Sequence, residues 1–170
     1  MSLFKSFETE RLLLKPTSED DAPFILELLN TPKWGRFIGE RNVKSIDDAK
    51  AYIEQKITPQ FQKIGFGNYT VIRKLDNLKI GSCGLYDREG IEGIDIGFAF
   101  LPQYEKMGYA FESAHQLKEV ALHYFEIKKI GAITTKDNKD SQKLLKKLGL
   151  KFLKTVTLPN DNEDLLLYKL

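Results

Sequence analysis

The chain has 170 residues, 42% of them hydrophobic and 29% charged, the balance of a soluble globular protein with enough chain for a real core, so a single domain over residues 1–170 is expected. Its formal net charge is only +2, with bases interleaved among acids, which argues against nucleic acid as a partner. No apolar run reaches the roughly 18 residues of a membrane span, and "MSLFKSFETERLLLKP" lacks the apolar segment of a signal peptide, so no membrane partner and a cytoplasmic location are expected.

In chain order, "ERLLLKP" reads as a strand closed by Pro16. "TSEDDAPFILELLN" reads as a helix capped by Thr17 or Ser18, with acids in the first turn, where the helix dipole favours them. A loop with Pro32, Trp34, Gly35 and Gly39 follows. "SIDDAKAYIEQKI" reads as a helix capped by Ser45, with Ala49, Tyr52, Ile53 and Ile57 at helical spacing; it continues past Ile57, with Pro59 as a kink point. "YTVIRK" and "KIGSCGLYD" around "LDN" form a hairpin signal.

"EGIDIGFAF" reads as a strand with Ile94, Ile96, Phe98 and Phe100 on one face and Asp95, Gly97 and Ala99 on the other. The second face is small, as a surface lining a ligand slot would be. "GYAFESAHQLKEVALHYFE" is a long helix with Ala110, Ala114, Leu117, Ala121 and Tyr124 in one stripe. "KKIGAITT" is a strand. "NKDSQKLLKKLG" is a helix with Ser141, Leu144, Leu145 and Leu148 on one face and Gly149 as its stop. "LKFLKTVTL" and "DLLLYKL" are closing strands around "PNDN". This mixed order, without internal repeats, predicts an α+β or α/β sandwich around one central sheet.

Some chemistries are disfavoured at once. Cys83 is the one cysteine, so no internal disulfide forms, and its apolar run "KIGSCGLY" reads as core. His115 and His123 are eight residues apart on one predicted helix, about 12 Å along its axis. They cannot share a zinc ion, and no other ligand spacing points to a metal. Ser, His and acid form no recognisable triad motif.

The informative stretch is "FAFLPQYEKMGYAFESA", a strand passing through a proline turn and Gly108 into the long helix. The first N–H groups of a helix lack internal partners and suit an anion. Gly108 lets a ligand approach the backbone, Ala110 is nearly as slim, and Lys106 adds charge. Glu105 has the wrong sign and would have to point away. A phosphate site and a plain connection both stand on these residues alone. Asn138, at a strand end with Ser141 one turn on, either caps the last helix or offers its amide to a ligand between two strands.

Three blocks in order, "TERLLLKPTSEDDA", "IDIGFAFLPQYEKMGYAFESA" and "DNKDSQKLLKKLGLKF", resemble the GNAT superfamily of acyl-CoA N-acyltransferases, in the branch that contains ribosomal-protein N-terminal acetyltransferases. The resemblance covers nearly the whole chain. It implies a mixed, mostly antiparallel sheet of about seven strands flanked by about four helices, with splayed strands forming a coenzyme A slot. The family's glycine turn, Q/R-x-x-G-x-G/A, matches Glu105-Lys106-Met107-Gly108-Tyr109-Ala110, with Glu105 as the departure. By resemblance, backbone N–H groups of that turn hold the pyrophosphate of acetyl-CoA, the co-substrate. The backbone of Phe98, Ala99 and Phe100 pairs with the pantetheine arm. Asn138 contacts that arm, and Ser141 faces the cofactor.

The implied reaction moves an acetyl group from the thioester directly to an amine, on a small molecule or a protein N-terminus, in a monomer or homodimer and without a metal. An α-amine, with pKa near 8, is about a tenth neutral at pH 7, whereas a lysine amine is neutral about once in 2,500. An α-amine therefore needs only a modest base. Asp95 stands where the family often places a Glu and is the candidate base, with Glu92 in reserve; a merely structural Asp95 is the alternative. Leu145 occupies the position where many members carry a tyrosine that protonates the leaving thiolate. Ser141 is the stand-in, or the thiolate leaves unaided. Backbone N–H groups near Phe100 are in place to polarise the thioester carbonyl. Trp34, Arg36, Phe37 and Arg41 lie in the stretch that walls the acceptor pocket by resemblance, or Trp34 and Phe37 are core anchors. Glu112 matches a recurrent, structural Glu. Glu105 and Leu145 also motivate a second reading, a catalytically inactive module that binds coenzyme A.

Overall fold

Alternating apolar residues in "SFETERLLLKP" build two antiparallel strands, β1 (Phe7–Glu8) and β2 (Leu12–Pro16), in a computed structural model that describes residues 3–170. Leu12 and Leu14 are fully buried, while Lys15 points to solvent. After Pro16 the chain passes through a short 3-10 turn (Glu19–Asp21) into α1 (Ala22–Leu29). Ser18 starts that turn, its N–H donating to the Asp21 carboxylate at 2.9 Å. Thr17 is not a cap: it is buried and bonded to Thr70 and Asn68.

The stretch after α1 departs from expectation. Pro32–Phe37 is a short helix, α2, rather than loop. Pro32 sits in the first turn, where its missing N–H costs nothing, and the Thr31 hydroxyl accepts from Trp34 N. α3 (Ile46–Tyr52) begins at Ser45, whose hydroxyl accepts from Asp48 N at 3.0 Å. It runs through one π turn (Ile53–Ile57) into α4 (Thr58–Ile64). The widened turn lies just before Pro59, where an N–H is missing from the ladder.

β3 (Asn68–Arg73) and β4 (Leu78–Tyr86) form the expected hairpin. β5 (Ile94–Phe100) leads through a 3-10 turn (Pro102–Tyr104) to α5 (Tyr109–His123). β6 (Ile130–Thr135), α6 (Lys139–Lys147), β7 (Lys151–Thr157) and β8 (Asp164–Lys169) complete the chain. The strands form one eight-stranded sheet in the order β1-β2-β3-β4-β5-β6-β8-β7. Every pairing is antiparallel except β5 with β6. Among the described residues, eight strands rather than about seven, and six α-helices rather than about four, follow from the short β1, from α2, and from the π turn that divides α3 from α4.

The apolar stripe of α5, with Ala114, Leu117 and Ala121 fully buried, packs on β4 and β5. Tyr124, assigned to the same stripe, is instead about half exposed. Cys83 lies wholly inside, and burial pushes its thiol up to about 12, so it is a core residue and not a nucleophile. His115 and His123 both face Glu119, and no cluster of metal-binding side chains exists among the described residues. Among the described residues, no helix is long and apolar enough to cross a membrane.

Glu112 fastens α5 to the β1–β2 turn. Its carboxylate accepts from Thr9 Oγ1 at 2.6 Å, Arg11 N at 3.0 Å and Arg11 Nε at 2.7 Å. Burial alone would raise its pKa, but these bonds outweigh it and hold the carboxyl below its ordinary value. Replacing Glu112 with alanine is expected to cost about 2 kcal/mol, the scale of hydrogen bonds to a charged group, read as a lower urea midpoint at pH 7. Because the folded pKa is depressed, this stability is present above the unfolded value and is lost as pH falls through the folded one. The gap between wild type and variant therefore closes in acid.

Candidate active site

The site is an opening in the sheet. β5 and β6 pair at two rungs, Ile94 with Ile130 and Asp95 with Gly131. Beyond them, β5 continues to Phe100 paired with β4 alone, and β6 to Thr135 paired with β8 alone. The facing edges at 96–100 and 132–135 therefore leave N–H and C=O groups free of each other. A cavity of about 910 Å³ fills this splay, within the usual size of a ligand site. Phe98, Ala99 and Phe100 line it from one side and Ile133, Thr134 and Thr135 from the other.

At one end stands the glycine turn. Gly108 adopts a left-handed conformation (φ 83°) immediately before α5. The first intrahelical bond of α5 runs from Glu112 N to Gly108 O, so the N–H groups of Tyr109, Ala110 and Phe111 have no partner inside the helix. Lys106, Gly108, Tyr109 and Ala110 line the cavity; Met107 does not, being about half exposed with its carbonyl accepting from Arg11. Glu105 neither points away nor stands unpaired: it lines the cavity and forms an ion pair with Lys33 of α2. Lys33 thus offsets its charge, and Lys106 and Lys147 add positive charge to the cavity lining. From α6, Asn138 caps the helix, its Oδ1 accepting from Ser141 N at 3.2 Å, while its Nδ2 remains available. Ser141, Leu144 and the fully buried Leu145 line the same wall.

Asp95 sits at the apex of the splay, on the last paired rung, and lines the cavity while only 1% exposed. Burial raises its pKa; Arg88, whose Nε lies 3.3 Å from both carboxylate oxygens, offsets part of that. Around it, Asn68, Ser82, Tyr86 and Gly97 form a polar floor on three adjacent strands. Of the proposed acceptor wall, Trp34, Phe37 and Arg41 line the cavity. The indole N–H of Trp34 is buried with no hydrogen-bond partner among the described residues.

Three predicted residues are not brought in: Met107, already described, and two others. Arg36 points outward to Asp137 at 3.3 Å and does not line the cavity. Glu92 is largely exposed, bonded to Lys129, and also lies off the cavity; a base must reach the reacting proton, so Glu92 is not placed to act as one. Sequence reasoning missed Asn68, Ser82, Tyr86 and Arg88, which reach the site through strand register, and Lys33 and Lys147, which look like ordinary surface lysines. Alternation along β4 would have put Ser82, Gly84 and Tyr86 on one face, the one signal that was available.

Residues 11–151 match the family model described as an acetyltransferase (GNAT) domain. Among curated relatives, the chain is 26% identical over 148 residues to the uncharacterized N-acetyltransferase YoaA of Bacillus subtilis, covering 86% of this chain and 83% of that one. Solved structures share the fold. An acetyltransferase from Agrobacterium tumefaciens superposes with a TM-score of 0.82 at 19% identity, over 100% of this chain and 96% of that one. RimL, a ribosomal L7/L12 α-N-protein acetyltransferase in complex with coenzyme A, superposes with a TM-score of 0.78 at 16% identity, over 98% and 97%.

Proposed function

From a chain that belongs to the GNAT acetyltransferase family and is an N-acetyltransferase, we propose that this protein moves the acetyl group of acetyl-CoA directly to the primary amine of a small molecule or a protein N-terminus. The observation that carries this reading is the splay itself: a free strand edge, a helix start with unpaired N–H groups at one end, and a buried carboxylate at the other.

The chain's own groups suit the parts of that ligand. The N–H groups of Tyr109, Ala110 and Phe111, with Lys33, Lys106 and Lys147 in the cavity lining, favour a pyrophosphate. The backbone edge of Phe98, Ala99 and Phe100 suits an extended, amide-bearing arm, and Asn138 Nδ2 is a further donor to it. Asp95 accepts a proton from the entering amine, directly or through water; burial makes it a stronger base than a solvated carboxylate. Ser141 is the one hydroxyl on α6, where Leu145 can give no proton. A thiolate with a pKa of about 8.5 also leaves unaided. The buried Asp95 favours catalysis over a binding-only module, which would gain nothing from an ionisable group at that depth.

Acetyl-CoA is expected to bind with micromolar affinity and to raise the melting temperature, since a ligand at 100 times its Kd adds about 2.7 kcal/mol. Calorimetric titration checks this, and no binding at millimolar acetyl-CoA would contradict the reading.

A further inference from the structure

We infer that the hydroxyl oxygens of Tyr86 and Ser82 are fixed as hydrogen-bond acceptors and select the acceptor as a primary amine by taking its two N–H groups; this rests on the acetyl transfer proposed above. The geometry begins with Gly84 and Gly97, which face each other across β4 and β5. A Cβ on Gly84 would lie 2.4 Å from the Tyr86 ring and hydroxyl, and one on Gly97 would lie 2.9 Å from the ring. Two bare positions on adjacent strands let this ring lie flat on the backbone, beside Asp95, its cross-strand neighbour.

The proton arrangement can be read from the far end. Asp21 is buried, paired with Lys79 at 2.7 Å, and can only accept. Thr70 Oγ1 therefore donates to it, at 3.1 Å. The Thr17–Thr70 contact of 2.8 Å then has Thr17 as donor. The Thr17 oxygen in turn accepts from Asn68 Nδ2 at 2.8 Å, which fixes the amide with Oδ1 toward the cavity. Tyr86 and Ser82 must both donate to that oxygen, at 2.5 and 2.7 Å. Among the described residues, neither hydroxyl oxygen receives a hydrogen bond, and both residues line the cavity. Burial also holds the Tyr86 phenol far above neutral pH, so its proton stays with Asn68.

The floor thus presents two lone-pair sites and no free proton. A primary amine gives one N–H to each oxygen and keeps its lone pair for the thioester carbon. The amine enters as the ammonium and gives its third proton to Asp95, directly or through water; the N–C bond then forms, the C–S bond breaks with its electrons going to sulfur, and the departing thiolate takes one of the two remaining amine protons. An N-methyl amine has one N–H and leaves one oxygen unmatched in a desolvated site.

The test compares kcat/KM for matched pairs, alaninamide with N-methylalaninamide and benzylamine with N-methylbenzylamine, in wild type, Tyr86→Phe and Ser82→Ala. Wild type should prefer the primary amine by ~100-fold, and each variant should narrow that preference to ~10-fold or less, mainly through the primary amine's KM. Acetyl-CoA affinity should stay within about twofold, which also reports folding. Ser82→Ala leaves the tyrosine ring seated, so it answers for any packing defect in Tyr86→Phe. Equal turnover of both amines by wild type, or a variant that slows both in proportion, overturns the inference alone. Release of no thiol by wild type with any primary amine overturns the acetyl-transfer reading, and this inference with it.

Discussion

Replacing Asp95 with asparagine is expected to lower kcat by about 100-fold, the low end of what a general base contributes, while the Kd for acetyl-CoA changes by less than about twofold. The structural alternative makes the opposite forecast for stability. Asp95 is buried, and its pKa is raised by desolvation against the opposing pull of Arg88. For an acid whose folded pKa exceeds its unfolded one, the stabilising contribution is present below the unfolded value and is lost as pH rises through the folded one. At neutral pH the carboxylate is therefore a liability, and asparagine should leave the melting temperature unchanged or higher. Arg88 is part-exposed and keeps water when its partner is neutralised. A melting temperature that falls together with activity would mark Asp95 as a structural carboxylate. The pH profile gives the same sign: wild-type kcat/KM should fall as pH drops through the raised pKa of Asp95, and that limb should vanish in the asparagine variant.

Replacing Gly108 with valine is expected to raise the Kd for acetyl-CoA at least ~10-fold and to lower the melting temperature by about 3–6 °C. The left-handed backbone at Gly108 (φ 83°) aims the free N–H groups of α5, and a β-branched residue is strained there. A Cβ would also meet Arg11 Nη2 at 3.2 Å. Relaxing that strain re-aims the N–H groups of Tyr109, Ala110 and Phe111. Gly149, also left-handed (φ 95°) but at the far end of α6, supplies the control. Valine there carries similar backbone strain and should lower stability without weakening acetyl-CoA. A Gly108 variant that loses stability but binds acetyl-CoA normally would detach the glycine turn from the ligand.

The parts of this architecture that were legible in the sequence are those whose signal is local. The period-two alternation of "IDIGFAF" put Asp95, Gly97 and Ala99 on one face, and the glycine before "YAFESAHQLKEVALH" marked the start of α5. Asn138 announced the cap of α6 in the same way. α2 reads as loop because Pro32, Gly35 and Gly39 look like breakers, although Thr31 before Pro32 is itself a helix-start signal. Glu92, the reserve base, precedes β5 and pairs with Lys129 outside the cavity, a placement that sequence position alone does not reveal. The polar floor was invisible for a different reason. Asn68, Ser82 and Tyr86 meet only because β3 and β4 pair in one register, and the bond directions follow from Asp21 at the opposite end of the network. Nor does sequence reveal that Lys33 neutralises Glu105, the departure in the glycine turn, since their meeting depends on α2 lying beside that turn.

The most direct test of the central claim is to incubate the protein with acetyl-CoA and a panel of primary amines, including alaninamide and short peptides with free N-termini, and to measure free thiol and acetylated amine together. The account predicts that both appear in equal amounts, that neither forms without the amine or the protein, and that Asp95→Asn slows both by about 100-fold. Acetyl-CoA binding without any acetylated amine across the panel would contradict it.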